Sequence, residues 1–291
     1  MKLALAQQGP RVRGFLRLAG FVTRRVAVKT YEDNIFNVAA QMAFFFLLAL
    51  FPFLILLVTL LPYVSEPSAL ERLMPMLRRV VSPDGMAYVR ANLQKVLSEK
   101  QEGLLSLSAM MLLWSASSGF AATMDGLNVA YKVQESRPLW KARLIAIALT
   151  LGLGALILTS VLLLVFGELL NEMAARYSAY SVVFWAVLRW VAALGFLLLA
   201  LDIIYYTTPN VRHPWRWFSP GAAIATPGWV GISLGLPYYI SRFGKYEATY
   251  GALAAVVSLM LWFYLSALML LIGGEVNAVL EREVHEQSGP V

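Results

Sequence analysis

The chain has 291 residues, 59% of them hydrophobic and 14% charged, with a mean hydropathy of +0.65. Soluble domains carry about 25% charged residues, so this composition belongs to an integral membrane protein. The lack of cysteine excludes disulfides and thiolate metal sites, two histidines leave little for a histidine metal centre, and a formal charge of +7 in such a protein points to cytoplasmic loops and anionic lipid rather than nucleic acid.

Residues 1–37 interleave Lys2, Arg11, Arg13, Arg17, Arg24, Arg25 and Lys29 with Val12, Phe15, Leu16, Leu18, Ala19, Val22 and Val26. Basic and apolar residues alternating at helical spacing predict an amphipathic helix lying in the membrane interface; a solvated basic tail is the alternative. No cleavable signal pattern precedes Val38. The first span is expected over residues 38–61, with a kink at Pro52 and an end at Pro62. Residues 62–102 form the longest connection. Ser68 and Glu71 make a capping-box pattern there, and two short amphipathic helices are expected to pack as a subdomain on the outer face.

Leu104–Val133 reads as the buried central helix of the bundle. An apolar run of roughly 20 residues spans a hydrocarbon core of about 30 Å. Its second half carries Ser115, Ala116, Ser117, Ser118, Gly119, Ala121 and Ala122, and small residues mark where another helix approaches closely in lipid. Further spans are expected over 142–166, 182–206, 221–240 and 250–274. The fifth is broken by Pro227 and Pro237 and carries Gly231-x-x-x-Gly235, a close-packing pattern. Six spans put both termini on one side. That side holds fourteen Lys and Arg residues against nine on the other, so both termini are expected in the cytoplasm.

Charged residues inside a span normally face the bundle interior or a water-filled cavity. Arg189 lies about two turns into the fourth span. A substrate role, a structural ion pair and snorkelling to outer headgroups are its three readings. Asp125, Asn128, Asp202, Glu275 and Asn277 come from three helices and fall at similar depth toward the cytoplasm. Convergence of that kind resembles a binding vestibule; capping of helix ends, with pairing to Lys132, Arg137 or Arg143, is the alternative. Together with Arg189 these are the candidate substrate-binding residues. No D-x-D or H-x-E spacing supports a two-metal nuclease, no G-x-S-x-G a serine hydrolase, and no P-loop an ATPase. Trp140, Trp185, Trp215, Trp217 and Trp229 fall mostly at span ends and read as an interfacial belt.

AAQMAFFFLLALFPFLI in the first span, LWSASSGFAATMDGLNVAYKV in the second, SPGAAIATPGW at the fifth and YGALAAVVSLMLWFYLSALMLLIGGEVNAVLE in the sixth resemble the YihY/BrkB family of bacterial inner-membrane proteins. The most specific element is the ending at Gly274, Glu275 and Asn277. The resemblance covers nearly the whole chain and implies a bacterial inner-membrane location. The family was once labelled ribonuclease BN, one member was described as a serum-resistance factor, and relatives have been proposed for lipid or solute transport.

The expected architecture is all-α and polytopic. A basic interfacial segment (1–37) precedes a six-span membrane domain (38–281) that includes the periplasmic helical loop 62–102, and a cytoplasmic tail (282–291) follows. The expected function is that of a transporter or flippase-like protein for an anionic lipid or amphiphilic solute, with membrane lipids as partners and no cofactor. A non-transporting envelope scaffold acting through the outer loop is the alternative. Catalysis, including ribonuclease activity, is not expected.

Overall fold

The computed structural model describes residues 10–64, 102–174, 179–211, 215, 217–242 and 252–288. Every element among them is an α-helix: α1 (Pro10–Glu32), α2 (Ile35–Val64), α3 (Glu102–Tyr131), α4 (Leu139–Ala174), α5 (Ala179–Thr207), α6 (Pro220–Arg242) and α7 (Ala252–Ser288). Helices satisfy their own backbone groups, which hydrocarbon cannot do for them. Five stretches are long and apolar enough to cross a membrane: Ile35–Leu60, Glu102–Tyr131, Leu139–Ser160, Val183–Thr207 and Ala254–Glu283. The chain is an all-α polytopic membrane protein. The remaining expected span, α6, is a helix of 23 residues, but Pro227, Pro237 and four glycines dilute its apolarity, and it is not among the five.

The boundary between the basic segment and the first span lies earlier than expected. Helix α1 stops at Glu32, and Asn34 takes a left-handed conformation (φ 52°) that ends it. Asparagine tolerates that region better than most residues. Helix α2 then starts at Ile35 and runs unbroken past Pro52. The expected outer subdomain, 62–102, lies almost wholly outside the described residues.

The chain divides into two compact units, Phe45–Ala116 and the combination of Met1–Phe44 with Ser117–Val291. In the first of these, Phe51, Leu54, Leu107, Met110, Met111 and Trp114 are exposed, as suits a surface meeting lipid.

In the larger unit α7 is the centre. Gly273–Val279 is buried at every position, so that part of the helix has neighbours on all sides. The expected central helix, Leu104–Val133, is corrected accordingly. Its first half is exposed at Leu104, Leu107, Met110, Met111 and Trp114, whereas Ala122, Met124, Leu127 and Ala130 are buried.

Helix α6 lies antiparallel to α7 along the stripe Gly221, Ala225 and Gly228, which meets Gly273 and Met269. Farther along, Trp229 Nε1 donates to Ser266 Oγ (3.1 Å) and Trp262 Nε1 donates to Ser233 Oγ (3.2 Å). The expected Gly231-x-x-x-Gly235 contact is not made among the described residues: a Cβ on either glycine would meet none of their atoms within 4 Å. The face of α6 that meets α7 is set instead by Gly221, Ala225 and Gly228, seven residues or two turns apart in all. Tyr205 of α5 donates to the Leu270 carbonyl (2.8 Å), and Gly126 of α3 fits between Val38 and Leu271. Helix α1 also runs antiparallel to α7, with Val26 packed on Val276 and Val279 and an ion pair between Arg25 and Glu283. Helix α4 packs on α5, and α5 on α6.

Candidate functional site

Buried polar side chains gather in the C-terminal halves of α3, α5 and α7 and at the start of α6. The start of α6 is written in Ser219-Pro220-Gly221: a serine N-cap, then proline at the first helical position, where its missing N–H costs nothing. Ser219 Oγ accepts from the Ala222 N–H (3.1 Å). Asp202 Oδ1 of α5 accepts from the Ser219 N–H (3.1 Å), and Asn277 Oδ1 of α7 accepts from the Gly221 N–H (2.7 Å). All three acceptors are buried. Three elements thus satisfy donors that a helix end cannot satisfy itself, and Asp202 places a carboxyl at the positive end of the α6 dipole.

A second group lies in the connection after α3. That helix closes with Val133 N–H bonded to the Asn128 carbonyl (2.9 Å) and Lys132 N–H to the Val129 carbonyl (2.9 Å), with Lys132 left-handed at φ 58°. These are the two bonds of a Schellman ending. Asn128 Oδ1 accepts from the Asn210 N–H (2.7 Å), and its Nδ2 donates to Glu135 Oε2 (2.9 Å). Arg137 donates Nε to Glu135 Oε1 (2.8 Å) and Nη2 to Glu135 Oε2 (2.6 Å). The same guanidinium donates to the Thr207 (3.3 Å) and Thr208 (2.8 Å) carbonyls, closing the C-terminal end of α5 with a positive charge. The paired guanidinium, helped by the Arg137 N–H and the Asn128 amide, holds the Glu135 carboxyl down at about 2.

A third group joins α1 to α7. Glu275 is fully buried, and among the described residues no donor reaches either of its oxygens. The carboxyl of Asp33, in the turn after α1, stands within hydrogen-bonding reach of it. Lys29 and Arg282 face the same carboxyl. Lys29 also pairs with Glu32, and Arg282 donates to the Ala130 carbonyl of α3.

The six residues singled out by sequence therefore stand in different surroundings. Asp202 and Asn277 meet at the start of α6, Asn128 belongs to the loop network, and Glu275 faces Asp33. Asp125 is exposed on the same stripe of α3 as Val129, away from the buried arc of Gly126, Leu127 and Asn128. Arg189 is half-buried on α5, between exposed Leu188 and Trp190. It is 13 residues from Asp202, roughly 20 Å along the helix. Asp33 and Glu135 escaped the sequence reading, Arg137 entered it only as a possible ion-pair partner and Ser219 only within a family motif. Only Ser219 carries a local signal, the serine–proline start of a helix. Among the described residues no three histidine, aspartate or glutamate side chains come together in a way that could hold a metal ion.

Comparison with known proteins adds the lineage. The family described as virulence factor BrkB matches residues 26–290. The chain is 37% identical over 247 residues to the putative ribonuclease-like protein YfkH of Bacillus subtilis (strain 168), an alignment covering 84% of this chain and 89% of the relative. It is 30% identical over 260 residues to a UPF0761 membrane protein of Alteromonas mediterranea, covering 86% of this chain and 84% of that one. A UPF0761 membrane protein of Tolumonas auensis is 26% identical over 269 residues, with 91% and 85% covered. No solved structure matches.

Proposed function

The chain belongs to the virulence factor BrkB family, and from that premise we propose that it binds an anionic amphiphile, a lipid or lipid-like solute, and moves it across the bilayer. The observation that carries this reading is Arg189. Its guanidinium side chain is half-buried in an apolar span whose flanking Leu188, Trp190 and Val191 are exposed. A charge at that place in a span is expensive and signals function by default. A guanidinium grips a phosphate or carboxylate headgroup through two parallel hydrogen bonds. Helix α6 supplies a second support. Pro227 and Pro237 each remove one backbone bond from it while the helix stays continuous, and such weakened places are where a helix can bend.

The orientation we propose puts both termini in the cytoplasm of a bacterial inner membrane, on the fourteen-to-nine balance of Lys and Arg. A relative's name contains the word ribonuclease, but the described residues offer no cluster for the metal ions of a two-metal nuclease. The reading is tested by native mass spectrometry of Arg189→Gln and Arg189→Lys. Retention of anionic lipid should fall most in the glutamine variant and partly in the lysine variant, whose ammonium lacks the planar fork. Unchanged lipid retention with a collapse in thermal stability would make Arg189 a structural residue and sink the reading.

A further inference from the structure

We propose that Asp33 and Glu275 form a carboxyl pair that binds one proton between them. The pair joins the α1–α2 turn to the central helix α7. Glu275 has 0% relative exposure, and neither of its oxygens receives a donor among the described residues. One oxygen of Asp33 is likewise buried without a donor. An ionised carboxylate placed so is costly unless something supplies hydrogen bonds to it. What lies within hydrogen-bonding reach of Glu275 is a second carboxyl, and two carboxylates in one site cannot both ionise easily.

The charged groups around the pair do not remove this difficulty. From α1, Lys29 faces Glu275 but is already bonded to Glu32. From α7 itself, Arg282 faces Glu275 but donates to the Ala130 carbonyl. From the turn after α3, Lys132 faces Lys29 and Glu32. One proton resolves the arrangement. It enters from water and forms an O–H bond on one carboxyl, which donates to an oxygen of the other. Two of the three donorless oxygens become the ends of one charge-assisted hydrogen bond, and the pair keeps a single negative charge facing the two cations. Release returns the proton to water and leaves two negative charges at the contact between the α1–α2 turn and α7. The position of that turn on the central helix thereby depends on proton occupancy. This proposal does not depend on the identity of any transported solute or on Arg189.

Infrared spectroscopy of the whole protein in lipid nanodiscs, titrated with pH and repeated in deuterated water, tests it. The wild type should show the C=O stretch of a protonated carboxyl at neutral pH, shifted by deuterium and lost as pH rises. Glu275→Gln and Asp33→Asn should each abolish the band, because the new amide donates to the remaining carboxylate and removes the need for the proton. No such band in the wild type at neutral pH overturns the proposal, with no variant required. Persistence of the band in either variant also overturns it, since the proton would then belong to one carboxyl alone. A band that appears only when sodium is withdrawn at fixed pH overturns it too, by giving the site to a metal cation. Asp33 sits in a turn rather than in the core, so Asp33→Asn remains usable should Glu275→Gln fail to fold.

Discussion

Gly221 of α6 and Gly273 of α7 meet backbone to backbone. A Cβ on Gly221 would lie 2.1 Å from the Gly273 carbonyl oxygen, and one on Gly273 would lie 2.8 Å from the Gly221 oxygen and 2.2 Å from the Tyr205 hydroxyl. Gly221→Ala should therefore lower stability by about 1–3 kcal/mol, which outweighs the roughly 0.5–1 kcal/mol that alanine adds within a helix. Gly274→Ala and Gly228→Ala meet side-chain atoms, chiefly of Leu127 and Met269, rather than backbone, and should cost less. Gly231→Ala and Gly235→Ala enter open space and should be neutral or stabilising. Thermal denaturation of the five variants in detergent checks this ranking; equal losses across them would refute it.

The start of α6 should respond to its borrowed caps. Asn277→Ala removes the acceptor of the Gly221 N–H and Asp202→Ala that of the Ser219 N–H. Each should cost about 1 kcal/mol, as loss of a helix cap does. Asn277→Asp keeps an acceptor oxygen and should cost less. Hydrogen exchange at the Gly221 amide should accelerate in Asn277→Ala and not in Asp202→Ala, which a general loosening of the bundle would not produce.

Acid should weaken the loop between α3 and α4. Glu135 has its carboxyl lowered from 4.5 to about 2 in the folded protein, chiefly by the Arg137 side chain. A depressed folded value gives stability that is present above the unfolded value near 4.5 and is lost as pH falls toward 2. Glu135→Gln should be less stable than the wild type at pH 6, and the gap should close on acidification through that window. A gap independent of pH would mean that Glu135 acts through packing and not through charge.

The charge balance predicts which loops face which side. The chain has no native cysteine, so single cysteines report cleanly. A cysteine at Ser136, exposed between α3 and α4, should resist a membrane-impermeant reagent applied from outside, and one at Ser98 should react. The reverse pattern would invert the proposed orientation.

Helix content and span positions were legible because they depend on local composition and length alone. Burial of Asn128, Asp202, Glu275 and Asn277 was also within reach, since each polar group interrupts an apolar helix near one end. Their partners were not. Arg137 reaches the end of α5, and Glu275 faces a residue from the opposite end of the chain, pairings that only tertiary packing creates. The exposure of Asp125 was hidden for a related reason. It lies one residue from Gly126, and which side of α3 faces inward is decided by Val38 and Leu271 filling the space that glycine leaves. The same limit explains why Gly231 and Gly235 misled: spacing shows that two glycines share a face and does not show what that face meets.

The two tryptophan–serine bonds between α6 and α7 have a mechanical consequence. Trp229 and Ser233 stand four residues apart on one helix, Trp262 and Ser266 four apart on the other, and each indole reaches across to the other helix's serine. A piston stroke of α6 by one turn, roughly 5.4 Å, would part both indoles from their serines at once. At about 1 kcal/mol for each bond, with the edge-to-face contact of the two rings, 6.0 Å apart, also disturbed, that stroke is resisted. The two bonds thus act as a latch against sliding of α6 along α7.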